Sequence, residues 1–353
     1  MLEKKDCCES VSKFIQDIKQ KKISGSYNIA ISTVELLKKL IIQTEWKTAE
    51  ELLKIIQDES KHLHQNLPLY PTVESMVGRI LKIIREEYIN GREDRPDADA
   101  GVIQSLQRLM LAESPAEDYK SIVPELQEAI LEHITELETE LENSMFDFSA
   151  DNIVQQACEH IHSNEIILTI GKSSLVEAFL KAAAAERKFE VIVAECAPFC
   201  LGHEMAVRLA RSKIETTVIA DSSVFALMSR VNKVIIGTHT IMANGGLRAV
   251  CGSHSVALAA KHFSVPVYVL APMYKLITTY LCSYDQDAFN CFVSPEGVLH
   301  YSDGAILSKV HVYNPVFDYV PPELVTLFIS NNGGHAPSYV YRLNSELYRL
   351  DDK

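Results

Sequence analysis

No apolar stretch in this 353-residue chain approaches the roughly 20 residues that cross a bilayer, so the sequence offers no membrane-spanning helix. Its first residues, Met1 to Asp6, lack the apolar run of a signal peptide. Positive charge is scarce: 34 Lys and Arg against 47 Asp and Glu leave a formal charge of −13. A nucleic-acid surface needs a net basic face to displace counterions from phosphates, so that class is disfavoured. Eight cysteines at irregular spacing make no secreted disulfide scaffold and read as reduced thiols of a cytosolic protein. Gly-x-Gly-x-x-Gly occurs nowhere, which removes the fingerprint of a dinucleotide site. No internal repeat signals a solenoid or propeller.

Two differently patterned halves remain. The sequence predicts helices over 10–22, 29–43, 48–64 and 73–89, with stripes such as Val11, Phe14, Ile15 and Ile18 at helical spacing. Residues 90–101 read as a polar loop and 102–111 as a short helix. A long helix is predicted over 124–145, with Leu126, Ile130, Ile134, Leu137 and Leu141 on one side. Glutamates crowd its remainder. Such a run is either a solvated face or a docking surface for a basic partner. Residues 146–151 break the pattern and mark a domain boundary, and 152–162 read as a helix leading onward.

Beyond it, five short apolar runs at 165–171, 189–196, 216–223, 233–240 and 265–272 predict parallel strands. Amphipathic helices over 174–186, 202–211, 224–231 and 247–262 separate them. Strands apolar on both faces, joined by helices, make a buried parallel sheet. The fold class is therefore α/β: an all-helical domain over 1–150, then a Rossmann-like, doubly wound, mainly parallel sheet domain over 151–353. Further strands are expected at 310–318 and 324–329, then a Gly333-Gly334 turn and a last helix over 339–348.

The strand ends lack complete chemistry. Gly171-Lys172-Ser173 misses the first glycine of a phosphate loop, because that position is Ile166 inside the strand. Lys172 then reads as a surface lysine at a helix start. Cys196-x-x-x-Cys200 with His203 nearby could begin a zinc site, but no fourth ligand is adjacent in sequence, so buried thiols are expected and no metal site is assigned. His62/His64 and His160/His162 are spaced i,i+2 and point to different helix faces. Asp221-Ser222-Ser223 and Asn244-Gly245-Gly246 follow strands, where a pocket could persist or a tight turn simply form.

Long strings add a resemblance. They are ACEHIHSNEIILTIG (157–171), KFEVIVAECAPFCLGHEMAVRL (188–209), MSRVNKVIIGTHTIMANGGLRA (228–249) and FDYVPPELVTLFISNNGGHAPSYVYRLNSELY (317–348). With a looser match at VGRILKIIREEY (77–88), they resemble the regulatory subunits of initiation factor 2B, the guanine nucleotide exchange factor for translation initiation factor 2. That family is similar in turn to methylthioribose-1-phosphate isomerases. The isomerases use a cysteine after the first strand and an aspartate after the fourth; those positions here are Gly171 and His239. Both proton-transfer groups are missing, so a non-catalytic role is expected, with no cofactor.

The resemblance implies a cytoplasmic hetero-decamer with alpha, gamma, delta and epsilon partner chains, two copies of each. It also implies docking of the alpha subunit of initiation factor 2 on the acidic helix through Glu132 and Glu136. A beta–delta contact is implied at His162, Asn164, Ile166, Ile192 and Thr217. The competing reading is an active sugar-phosphate isomerase using Cys196, Asp221 or His239 in new roles, or a metabolite sensor with a strand-end pocket. Residues 146–150 read as an insertion, and Asn332 and His335 depart from the family's pattern.

Overall fold

The computed structural model describes residues 3–20, 22–23, 25–93, 119, 125–146, 152–279 and 290–348. The expected helix at 102–111, most of the polar loop at 90–101 and most of the insertion at 146–150 lie outside them. The chain divides into two compact units: Met1–Leu141 with Leu347–Lys353, and Glu142–Glu346.

The first unit is helical: α1 (Glu3–Lys19), α2 (Ser26–Gln43), α3 (Ala49–Asn66), α4 (Pro71–Glu93) and most of α5 (Leu126–Phe146). The apolar stripes are what it buries. Val11, Phe14, Ile15 and Ile18 of α1 are buried, as are Leu126, Ile130, Ile134, Leu137 and Leu141 of α5. Thr48 starts α3 by accepting the Glu51 N–H on its hydroxyl, at 3.3 Å. Tyr348, close to the chain end, packs into the same unit. Its hydroxyl bonds to the Ser75 hydroxyl, and its ring covers Gly78, where a Cβ would stand 3.2 Å from the ring.

The second unit begins with two helical turns, α6 (Asn152–Gln155) and α7 (Ala157–His160), where a single helix was expected. Gln156 interrupts them: its amide donates to the carbonyls of Asn152 at 2.9 Å and Ser330 at 3.1 Å. Next come β1 (Ile166–Ile170), α8 (Ser174–Glu186), β2 (Glu190–Ala194), α9 (Leu201–Arg211) and β3 (Glu215–Ile219). The predicted helix at 224–231 is one α turn, α10 (Val224–Leu227), closed by a 3-10 turn, before β4 (Lys233–Gly237).

Strand β4 ends sooner than the apolar run predicts. Thr240–Ile241 forms β5 in a different sheet, paired antiparallel with β6 (Leu247–Val250). Asn244-Gly245-Gly246 is the hairpin turn between them, not a turn into a helix. Its glycine at 245 takes φ +80, and the Asn244 side chain accepts the Gly246 N–H at 2.9 Å. The expected helix over 247–262 is thus a strand followed by α11 (Ser253–His262), separated at Gly252 with φ +96.

The remaining elements are β7 (Val267–Leu270), a short turn α12 (Gly304–Leu307), β8 (Phe317–Val320), β9 (Leu327–Ser330), β10 (Gly333–His335) and α13 (Val340–Leu347). Gly333-Gly334, expected as a turn, belongs to β10. The main sheet runs β10-β9-β7-β4-β1-β2-β3 and is parallel except for the β9–β10 pair. A second sheet runs β5-β6-β8. Helices α8 and α9 cover the face that carries Ile167, Val191 and Val193.

Candidate functional site

In an open α/β sheet, ligands bind beyond the carboxyl ends of the strands where the strand order reverses. Here that point lies between β1 and β4. The chain reaches one sheet edge at β3 and resumes at β4 on the other side of β1. Side chains close this crevice. A Cβ at Gly237 would stand 2.6 Å from the Ser173 hydroxyl oxygen. Ser173 itself caps α8 by accepting the Val176 N–H, and Lys172 pairs with Glu204 at 2.8 Å. No phosphate cradle remains in Gly171-Lys172-Ser173.

Each group that could have restored catalysis is engaged elsewhere. The Asp221 carboxylate accepts the Cys196 N–H at 2.9 Å and the Ala197 N–H at 2.7 Å. Asp318 accepts the N–H groups of Gly252 and His254 at the start of α11. The Cys196 thiol faces the Cys251 carbonyl at 3.7 Å. Burial, followed by the Asp221 charge, pushes its pKa up to about 11. Such a thiol is protonated at neutral pH and is a poor nucleophile. Gly171 cannot be exchanged for a thiol without crowding, since its Cβ position lies 3.4 Å from the Cys196 sulfur.

His239 is similarly disarmed. Its ring packs at a tilt against Phe317, with centroids 4.8 Å apart. Burial, then the nearby Arg248 and Lys275 charges, lowers its pKa from 6.5 to about 3. Neutral throughout the physiological range, it is poorly matched to proton transfer near neutral pH. Lys275 donates to the Thr238 carbonyl at 2.8 Å, and burial lowers its pKa to about 8. Arg248 lies over the Phe317 ring at 4.2 Å.

The residues expected at protein contacts lie elsewhere. Glu132 and Glu136 are exposed and one turn apart on α5. Glu136 approaches His133 at 3.7 Å; Glu132 forms no ion pair among the described residues. Other glutamates of the run are tied inward, Glu138 to Lys38 and Glu140 to Arg79. Ile166, Ile192 and Thr217 are brought onto one face: Leu168 aligns with Ile192, Ile192 with Thr217, and Ile166 lies two residues before Leu168. This face is opposite to α8 and α9. Thr217 is exposed on the edge strand, whereas Ile192 is buried at 6% exposure. His162 and Asn164 are exposed in the turn before β1, where Asn164 takes φ +66.

What the sequence did not reveal is the internal bonding of the strand ends. The Asp221 and Asp318 clamps link residues far apart in the chain, and only the fold brings them together. Among the described residues, no helix is long and apolar enough to cross a membrane.

Comparison with known proteins agrees with this geometry. The initiation factor 2 subunit family model matches residues 22–337. The translation initiation factor eIF2B subunit beta of Dictyostelium discoideum is 42% identical over 96% of this chain and 95% of its own length. Its Schizosaccharomyces pombe counterpart is 36% identical over 97% and 96%. The fold matches a chain of the tetrameric eIF2B-beta2-delta2 complex from Chaetomium thermophilum with a TM-score of 0.70, covering 98% of this chain and 97% of that one at 22% identity. It also matches 5-methylthioribose 1-phosphate isomerase from Pyrococcus horikoshii with a TM-score of 0.57, covering 96% and 87% at 20% identity. The chain belongs to the initiation factor 2 subunit family and, within it, to the eIF2B beta branch of non-catalytic regulatory subunits.

Proposed function

We propose that this chain serves the guanine nucleotide exchange factor for initiation factor 2 as an assembly and sensing subunit. It supports exchange of GDP for GTP on that factor and conveys inhibition by its phosphorylated alpha subunit. The helical unit docks the alpha subunit through Glu132 and Glu136. The α/β unit holds the complex together, with the delta chain against His162, Asn164, Ile166, Ile192 and Thr217. The full assembly is a hetero-decamer with two copies each of the alpha, beta, gamma, delta and epsilon chains. Regulation is allosteric: the bound, phosphorylated partner biases the assembly toward a less active state.

The observation that carries this reading is the engagement of Asp221, Cys196 and His239 in internal bonding and packing, while Glu132 is exposed and forms no ion pair among the described residues. Polar groups spent on the fold cannot turn over a sugar phosphate. Native mass spectrometry of the tagged chain purified from its own cells tests the proposal. Co-purification with four other subunits in a ten-chain complex is expected. A lone monomer, or turnover of ribose phosphates by the purified chain, would overturn it.

A further inference from the structure

The loop leaving β2 brings three unlike donors together. Glu195 follows the strand, Cys200 precedes α9, and His203 lies in its first turn. One ligand atom from each falls within 4.8 Å of the others. The His203 Nε2 is 3.4 Å from a Glu195 carboxylate oxygen. Zinc with S, N and O ligands at about 2.0–2.3 Å holds neighbouring ligand atoms roughly 3.3–3.8 Å apart in a tetrahedron. Modest side-chain rotation would close this set onto one ion.

The scaffold is built by main chain, not by the donors. The Cys200 N–H donates to the Cys196 carbonyl, the Gly202 N–H to Glu195, and the His203 N–H to Cys200, each at 3.0 Å. Asp221 clamps the other side of the loop. Both Cys196 and Cys200 take left-handed backbone, with φ of 59 and 51, a conformation that non-glycine residues enter only when the surroundings demand it. Gly202 lets the helix begin directly against the strand end: a Cβ there would stand 2.4 Å from the Ala194 carbonyl oxygen.

We propose that Glu195, Cys200 and His203 form a divalent-cation site of the zinc class, with its fourth position open to solvent. A carboxylate, a thiolate and a neutral imidazole balance the double charge of the ion. Nearby cations are already neutralised: Lys172 by Glu204, and Arg208 by Glu204 and Glu177. His203 is half-exposed, which gives the ion a path in. From sequence alone, Cys196, Cys200 and His203 are weighed and set aside as a metal site. The fold replaces Cys196, whose thiol turns toward Cys251, with Glu195.

Cobalt is the probe. The full-length chain, purified with co-expressed partners and stripped by chelator, is titrated with Co2+ and followed by absorption. One ion per chain is expected, with a thiolate-to-cobalt charge-transfer band and the strong visible bands of four-coordination, displaced by Zn2+. Cys200→Ser should abolish the charge-transfer band. His203→Gln and Glu195→Gln should each weaken binding at least by the roughly tenfold that even outer-shell changes bring. All three should keep the metal-free thermal midpoint, since none removes a scaffold bond. Absence of the band at micromolar cobalt would overturn the site and leave a histidine–glutamate pair beside a bystander thiol. Persistence of the band in Cys200→Ser would overturn it equally.

Discussion

At the strand ends of the α/β unit, Asp221, Asp318 and Lys275 are each bonded to main-chain groups. On the exposed side of α5, and among the described residues, Glu132 forms no ion pair and Glu136 pairs with a histidine of its own helix. Both regions are rich in ionisable groups, but they spend them differently. A carboxylate that accepts two main-chain N–H bonds is fixed in place as a structural part. One left in water on a rigid helix keeps its charge for a partner. The difference separates ionisable groups that hold the fold together from groups left exposed on the proposed docking face.

The strongest way to break this comparison is through pH. His239 has a folded pKa near 3 against an ordinary 6.5. Between those values the unfolded chain binds a proton that the folded chain refuses, so stability is fully present above about pH 6.5 and falls as pH drops toward 3. For so deeply buried a group the expected loss reaches several kcal/mol. Equilibrium denaturation across pH, compared with His239→Gln, measures it: the variant's curve should be flatter in that window. Identical slopes would mean that His239 titrates freely and that the crevice is open.

Asp221→Ala comes next. It removes both bonds to the Cys196 and Ala197 N–H groups and should cost about 3 kcal/mol, read from the denaturant midpoint at neutral pH. A loss near zero would free Asp221 from its clamp and revive it as a catalytic candidate. The acidic face should behave in the opposite way. Glu132→Lys with Glu136→Lys should leave the thermal midpoint unchanged and weaken binding of the initiation factor 2 alpha subunit about tenfold, on the order of 1.4 kcal/mol. The effect should shrink as salt is raised. A fall in stability without a fall in affinity would place these glutamates with the structural ones.

The residues differ in how far sequence could expose them. The stripe Leu126, Ile130, Ile134, Leu137 and Leu141 was legible because burial on a helix follows a fixed period. Parallel strands β1, β2, β4 and β7 were legible because a sheet covered on both faces reads as unbroken apolar runs. The hairpin at 240–250 was not. Leu247 to Val250 fits the start of a helix as well as a short strand, and only its partner Phe317–Val320, some seventy residues later, decides. Similarly, nothing local announces that Asp221 will close over Cys196. That contact is a product of strand adjacency, which no single-sequence pattern encodes.

The smallest expected effect sharpens the comparison at its most ambiguous residue. Lys172 follows a strand-end glycine and precedes a serine, as a phosphate-loop lysine does. In the fold its ammonium pairs with Glu204, and both side chains are partly exposed to solvent. A pair so placed is screened by water, and fixing two long side chains offsets most of its Coulomb gain. Lys172→Ala should therefore leave the denaturation midpoint within error of the parent. It should equally leave nucleotide exchange by the assembled complex unchanged, since the backbone nest that would direct this lysine at a phosphate is absent. A marked drop in exchange with stability intact would show that the crevice still handles an anion, and the contrast with α5 would then fail at that point.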